Sequence, residues 1–126
     1  MTLVLDAGAL LAVERGDRTV VALIKRERLA GNPPRTHGGV VGQVWRGGTG
    51  RQANLARLLP GVDVAPLDDD LGRRAGVLLR RAGTPDVIDA AVVLLAEPDD
   101  EILTSDVADL TDLATAAAID LELIAV

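Results

Sequence analysis

Apolar residues follow two alternating patterns along this chain. Short apolar runs bounded by acids, Gly or Pro predict buried strands at 2–6, 62–66, 101–104 and 121–126. The connector "NPPRTH" can hold one more short strand. Between these runs, apolar residues recur at the three- and four-residue spacing of amphipathic helices. The pattern therefore predicts strands that alternate with helices.

The helical pattern covers seven segments of the chain. They are 7–15, 17–31, 38–48, 50–59, 67–83, 84–97 and 106–117. Asp17 is suited to cap the second helix and Gly31 to end it. Strands that alternate with helices form parallel sheets with right-handed crossovers. We therefore predict an α/β fold: a single three-layer domain over residues 1–126, with a central parallel sheet flanked by helices.

Composition narrows the classes of protein that this chain can belong to. It has no Cys, which excludes a disulfide framework and a thiolate metal site. No signal-peptide pattern is present, and no apolar stretch approaches the roughly 18 residues of a membrane span. We expect a soluble cytoplasmic protein. The net charge of −6 argues against a basic nucleic-acid coat protein.

Carboxylates come from three segments that this fold brings to one edge of the sheet. Ligands of an open parallel sheet bind outside the carboxyl ends of its strands. Asp6 ends the first strand, and Asp106 follows the strand at 101–104. Asp86 and Asp89 open the helix at 84–97 and share one face of it, because they are three residues apart.

Two of these acids also have a purely structural interpretation. Asp6 can cap the helix that follows it, and either Asp106 or Ser105 can cap the helix at 106–117.

The two acids of the helix at 84–97 can also be considered as structural residues. With Thr84 as N-cap and Pro85 in the first helical position, Asp86 lies in the first turn, where the helix dipole favours an acid. In this register Asp89 lies past the first turn, beside an almost entirely apolar surface. A carboxylate there is unfavourable unless it is paired or binds a cation, and the alternative is a solvated position.

Clustered carboxylates indicate a particular chemistry. With no Cys and with His37 as the only His, they suit a hard cation, Mg²⁺ or Mn²⁺. Such a site supports hydrolysis of phosphodiesters. A Ser105–His37 pair lacks a nucleophile-elbow motif, and no phosphate-binding or dinucleotide-binding glycine motif is present.

Three stretches together resemble a known family. The order of these stretches is typical of the PIN domain: "LVLDAGALLA" comes first, then an apolar helix that begins with "DVIDAA", and then "LTSDVADL". The whole chain resembles the VapC-type ribonuclease toxins of bacterial toxin–antitoxin pairs. The resemblance implies an RNA-cleaving site with Mg²⁺ or Mn²⁺. The residues that it assigns to metal binding are Asp6, Asp86, Asp89 and Asp106, with Asp86 as a supporting ligand. Ser105 or Thr104 would supply a neighbouring hydroxyl, and Asp109 would lie in the outer part of the site.

The sequence departs from the family pattern at one catalytic position. Where the family usually has Glu, "VVGQVWRG" places Gln43. An amide can hydrogen-bond a water molecule but cannot act as a charged ligand or base. The catalytic set implied by the resemblance is thus Asp6, Gln43, Asp89 and Asp106. Arg46 and Arg51 lie near Gln43 in sequence and are candidates for phosphate contacts.

The resemblance also implies partners: an RNA substrate, an antitoxin protein and a second copy of the chain in a homodimer. A metal-dependent endoribonuclease is the first hypothesis. A PIN-like module that binds without cutting is the alternative, because of Gln43 and the negative charge. A phosphoacceptor domain is disfavoured, since it needs a Lys near its C-terminal end and Lys25 is the only Lys.

Overall fold

The computed structural model describes all residues from Met1 to Val126 and contains one five-stranded sheet. The order of its strands is β3-β2-β1-β4-β5, and every neighbouring pair is parallel. The strands are β1 (Leu3–Leu5), β2 (Arg35–His37), β3 (Asp63–Ala65), β4 (Glu101–Thr104) and β5 (Glu122–Ala125). The predicted α/β fold with a central parallel sheet is confirmed, and the connector "NPPRTH" does contain a strand.

Seven helices connect these strands. They are α1 (Ala7–Glu14), α2 (Arg18–Leu29), α3 (Gly38–Val44), α4 (Ala53–Leu58), α5 (Asp69–Ala82), α6 (Val87–Leu95) and α7 (Val107–Ala116). Single 3-10 turns at Gly50–Gln52 and Leu59–Gly61 flank α4. None of the helices combines the length and the apolar character that a membrane crossing requires.

The helices pack in two groups. α1 contacts α2, α3 and α4, whereas α5, α6 and α7 contact one another. Crossovers that leave the central strand in opposite directions place such groups on opposite faces of a sheet. The core lies between them: β1 is fully buried, and so is the stretch Ala90–Val93 of α6. Burial on every side explains why α6 is apolar nearly all round.

The helices α2 and α5 each begin directly after an Asp that serves as the capping residue. Asp17 accepts a hydrogen bond from the amide of Val20 and caps α2, as predicted. Asp68 caps α5 in the same way, through the amide of Leu71.

The predicted start of α6 is wrong. The helix begins at Val87 rather than Thr84, and its N-cap is Asp86, whose Oδ1 accepts a hydrogen bond from the amide of Asp89 at 3.0 Å. The reason lies in the preceding helix. α5 ends at Gly83 in the left-handed conformation (φ 73°) and packs directly against α6. Residues 84–86 therefore form the turn between the two helices.

α3 is also shorter than the pattern predicts. It ends at Val44 rather than near Gly48, because the backbone then bends through Gly47 and Gly48, both with positive φ. The guanidinium of Arg46 turns back and donates hydrogen bonds to the carbonyls of Gly42, Gln43 and Trp45. These contacts satisfy carbonyl groups that the end of a helix leaves without partners.

Candidate active site

The strand order reverses between β1 and β4. The chain leaves β1 towards β2 on one side of the sheet and reaches β5 on the other. Parallel sheets bind ligands at the carboxyl edge of such a switch point, where the loops on the two sides diverge. Asp6 follows β1 and Asp106 follows β4, so both occupy this edge.

Asp6 is held rigidly at the edge. It is 3% exposed, and its two carboxylate oxygens accept different backbone hydrogen bonds. Oδ1 accepts from the amide of Ala9 at 2.9 Å, and Oδ2 accepts from the amide of Ser105 at 3.2 Å. Asp6 thus caps α1, as the structural interpretation proposed, and it also links α1 to the loop after β4. A carboxylate has about four acceptor positions, so these bonds leave capacity for a cation.

Gly8 allows this close approach. A methyl group at its Cα would overlap the Oγ and Cβ of Ser105, whose backbone nitrogen lies 3.1 Å from the same position. Glycine is required here by space rather than by backbone conformation, because Gly8 is helical. The first turn of α1 and the loop after β4 therefore form one continuous wall of the site.

Asp89 lies in the first turn of α6, not beyond it as predicted. It is only partly exposed, and its pKa is raised from 3.8 to about 7. Burial is the largest cause, followed by the negative charges of Asp86, Asp106 and Asp6. The other three acids named from the sequence therefore lie close enough to Asp89 to disfavour its charged form. A proton or a cation relieves that repulsion.

Three carboxylates can reach one ion. Oxygen atoms of Asp89, Asp106 and Asp109 all lie within 4.8 Å of one another. Asp106 does not cap α7 with its side chain; its own amide donates to Oγ1 of Thr104 at 2.8 Å. The carboxylates of Asp106 and Asp109 make no hydrogen bond and no ion pair, so all their oxygens are open to a ligand. Such a set of hard oxygen donors fits a divalent cation.

Asp109 has a more central position than the sequence indicated. The spacing of Asp106 and Asp109, three residues apart on a helix, was the signal that both side chains share one face. Asp86 has less capacity for an ion than Asp109, because one of its carboxylate oxygens already accepts the capping hydrogen bond of α6.

His37 lies outside the acid cluster and has a structural role. It is fully buried at the end of β2, where its Nδ1 accepts a hydrogen bond from the amide of Gly39 at 3.1 Å. Its Nε2 donates to the carbonyl of Ile88 at 3.0 Å. Burial lowers the pKa of His37, while the bond to Ile88 acts in the opposite direction. The neutral ring therefore ties β2 and α3 to the first turn of α6.

Gln43 is exposed on α3, and its side chain makes no hydrogen bond. It lines a groove with Leu11 and Glu14 of α1 and with Arg15, which directly follows that helix. Gln43 is not among the groups that raise the pKa of Asp89.

Two comparisons by sequence found no relative: no protein-family model matches the chain, and no curated protein matches it. A comparison by structure did find similar folds. A chain in the crystal structure of VapBC2 from Rickettsia felis, bound to a DNA fragment from their promoter, superimposes with a TM-score of 0.69. The match covers 100% of this chain and 99% of that one, at 12% sequence identity. At this identity the likeness shows the fold, and the fold is similar to that of a chain in a VapBC complex.

Proposed function

We propose that this chain is a metal-dependent endoribonuclease, the toxin of a toxin–antitoxin pair, which hydrolyses RNA phosphodiester bonds at its acidic site. The observation that carries the proposal is the gathering of acids from three distant segments at the switch point of the sheet. Oxygens of Asp89, Asp106 and Asp109 lie within 4.8 Å of one another there. The VapC-type sequence pattern and the likeness to a VapBC structure support the same proposal.

In this proposal Asp89, Asp106 and Asp109 hold Mg²⁺ or Mn²⁺, with Asp6 beside them. When bound, the cation neutralises charge on the scissile phosphodiester and promotes attack by water. Asp6 orients the site, because its two hydrogen bonds fix the distance between α1 and the loop after β4. Asp86 holds the backbone of Asp89 in place through the cap of α6.

The alternative is a PIN-like module that binds RNA or a partner without cutting it. Gln43 favours this alternative, since it cannot supply the negative charge that the family usually has at that position. The remaining acids suffice for one cation. The two functions therefore differ in whether hydrolysis occurs, not in whether metal binds.

We also propose an antitoxin as a partner, and a second copy of the chain as another. A cleft between α2 and α4 has an apolar part of its lining that includes Val21, Ile24 and Leu58. Its rim carries four cations and no acid: Arg18, Lys25, Arg28 and Arg57. Such a cleft on a chain of net charge −6 suits a segment that combines acidic and apolar residues. Charge reversal at Arg28 and Arg57 should weaken binding of a purified antitoxin.

The test of catalysis uses purified protein, freed of any bound partner, and end-labelled structured RNA with Mg²⁺ or Mn²⁺. Asp89→Asn and Asp106→Asn remove proposed ligands, and a reaction with EDTA removes the cation. Asp112→Asn is the matched control, because Asp112 is also an exposed acid of α7 but lies outside the cluster.

The ribonuclease proposal expects cleavage by the wild type and by Asp112→Asn, and its loss in EDTA and in both ligand variants. Cleavage that persists in EDTA would refute it. Metal binding by calorimetry without cleavage of any RNA would favour the binding module. Cleavage gained by Gln43→Glu would then identify residue 43 as the reason.

A further inference from the structure

The groove that Gln43 lines lies beside the C-terminal end of α1, away from the acid cluster. It has a volume of about 780 Å³ and is lined by α1, the end of α3 and the loop that follows α3. Arg15, Arg46 and Arg51 contribute three positive charges to its lining. Glu14 is its one acid, and a carboxylate oxygen of Glu14 already accepts a hydrogen bond from Nε2 of Gln52 at 2.7 Å.

The loop at residues 45–51, "WRGGTGR", is held in place by a single buried side chain. Gln52 is 8% exposed and uses both ends of its amide. Its Oε1 accepts from the amides of Arg46 at 2.7 Å and Gly48 at 3.2 Å. Its Nε2 donates to the carbonyl of Val44 at 2.8 Å as well as to Glu14. The loop is thus a fixed part of the groove, although three of its residues are glycines with positive φ.

None of the arginines of this groove makes an ion pair within the chain, and Glu14 is the only acid in the lining. The four ion pairs of the structure involve Arg26, Arg35, Arg73 and Arg74, and none involves an arginine of the groove. Arg46 is oriented by the carbonyls at the end of α3, which fixes its guanidinium without neutralising it. Guanidinium groups without a carboxylate partner bind phosphate well, because their planar donors match its oxygens.

The groove and the acid cluster lie at opposite ends of the same helix. α1 starts directly after Asp6 and ends at Glu14, so they are separated by roughly 12 Å along its axis, at about 1.5 Å per residue. Gln43, at the position where the family has a catalytic Glu, lines the groove itself. An RNA strand that followed α1 from Asp6 would reach the groove after this distance.

From this arrangement we propose that the groove binds the backbone phosphates of single-stranded RNA next to the cleavage site, an inference that rests on the proposed ribonuclease function. The volume of about 780 Å³ corresponds to a few nucleotides of one strand. Binding would come from phosphate contacts and would show little preference for base sequence. An acidic peptide is the competing occupant, and the experiment includes it.

Trp45 provides a local probe. It is the only aromatic residue of the chain and stands at the start of the loop. Its indole packs over Gly48, where a methyl group would overlap it, and it remains 37% exposed. Its fluorescence therefore reports on the loop alone.

The experiment titrates the protein with a single-stranded RNA of about a dozen nucleotides. EDTA is added so that binding is measured without metal-dependent cleavage. Low salt is the starting condition, because it strengthens binding to phosphates. We expect the fluorescence of Trp45 to change on binding. Arg15→Gln/Arg51→Gln should weaken binding about tenfold and reduce the slope of log K against log salt by about 1.4. Arg80→Gln/Arg81→Gln is the matched control, since these exposed arginines of α5 also lack ion pairs.

The inference is overturned if the wild type does not bind the RNA, or if the groove variant binds it as tightly as the control variant does. It is also overturned if a polyglutamate peptide or a duplex RNA binds the groove at least as tightly as the single strand. Binding that depends on Arg15 and Arg51, together with absence of cleavage in Mg²⁺, would support the groove and refute the ribonuclease. The two failures are thus distinguishable.

Discussion

Replacement of Asp89 by Asn should stabilise the protein when no metal is bound. The pKa of Asp89 is raised from 3.8 to about 7 in the folded chain, because of burial and the neighbouring charges of Asp86, Asp106 and Asp6. Above pH 7 the native state therefore contains an ionised carboxylate that the fold disfavours, and the unfolded chain does not experience this penalty. Asn has nearly the same shape and carries no charge.

The magnitude follows from the shift and its sign from linkage. A shift of about three units corresponds to at most about 4 kcal/mol. Asp89 is partly exposed, so solvent screening reduces the expected gain to about 1–2 kcal/mol. Between about pH 4 and pH 7 the carboxyl group of Asp89 retains in the native state a proton that it has lost in the unfolded state, so the contribution of Asp89 to the free energy of unfolding falls as pH rises. At pH 4 and below, the advantage of Asn should disappear.

Urea denaturation in EDTA, at about pH 4 and about pH 8, measures both limits. Asp112→Asn serves as the control and should change stability by less than about 0.5 kcal/mol at either pH. In saturating Mg²⁺ the order should reverse, because only the wild type retains all three proposed ligands and gains binding energy. Equal or lower stability of Asp89→Asn at pH 8, or an advantage that persists at pH 4, would refute the argument from repulsion.

Three further changes test other contacts. Gly8→Ala should lower stability by about 1–3 kcal/mol through its clash with Ser105; Ser105→Gly should restore part of the loss, and additive effects in a double-mutant cycle would contradict the clash. Ala118 follows α7 with φ 54°, so Ala118→Gly should raise stability by about 0.5–1 kcal/mol in urea titrations, and a loss would argue against this backbone conformation. Burial lowers the pKa of His37, so the contribution of His37 to the free energy of unfolding should fall as pH drops below 6.5, the ordinary pKa of His, and His37→Gln should remove this contribution. An unchanged pH profile in that variant would exclude His37 as the source.

Helices and strands could be predicted where the local sequence pattern determines the secondary structure. β1 and β4 are short apolar runs followed by polar residues, and burial on both faces of a parallel sheet leaves few other interpretations. The cap of α2 was readable for the same reason, since Asp17 is the suitable residue directly before the helix. The position of Asp6 at the sheet edge followed directly from the predicted strand.

Other features depend on packing between distant segments. Thr84 and Asp86 are both good caps, and the choice between them follows from the contact of α6 with α5, which no local pattern contains. The strand order and the close approach of Gly8 to Ser105 are likewise set by distant parts of the chain. The sequence also could not show that Asp109 shares one ion-sized space with Asp89, because that depends on how α6 and α7 pack.

The pairing of β1 with β4 has a consequence for biosynthesis. Leu3 lies opposite Glu101 in the sheet, so the β4 side of β1 stays unpaired until the ribosome has made almost a hundred more residues, although β2 follows much earlier on its other side. Asp6 meets the amide of Ser105 only after that pairing. An unfinished chain thus contains no assembled acid cluster, and a nascent chain that ends before β4 should cleave no RNA. Any activity of the acid cluster would begin only after translation of the chain is nearly over.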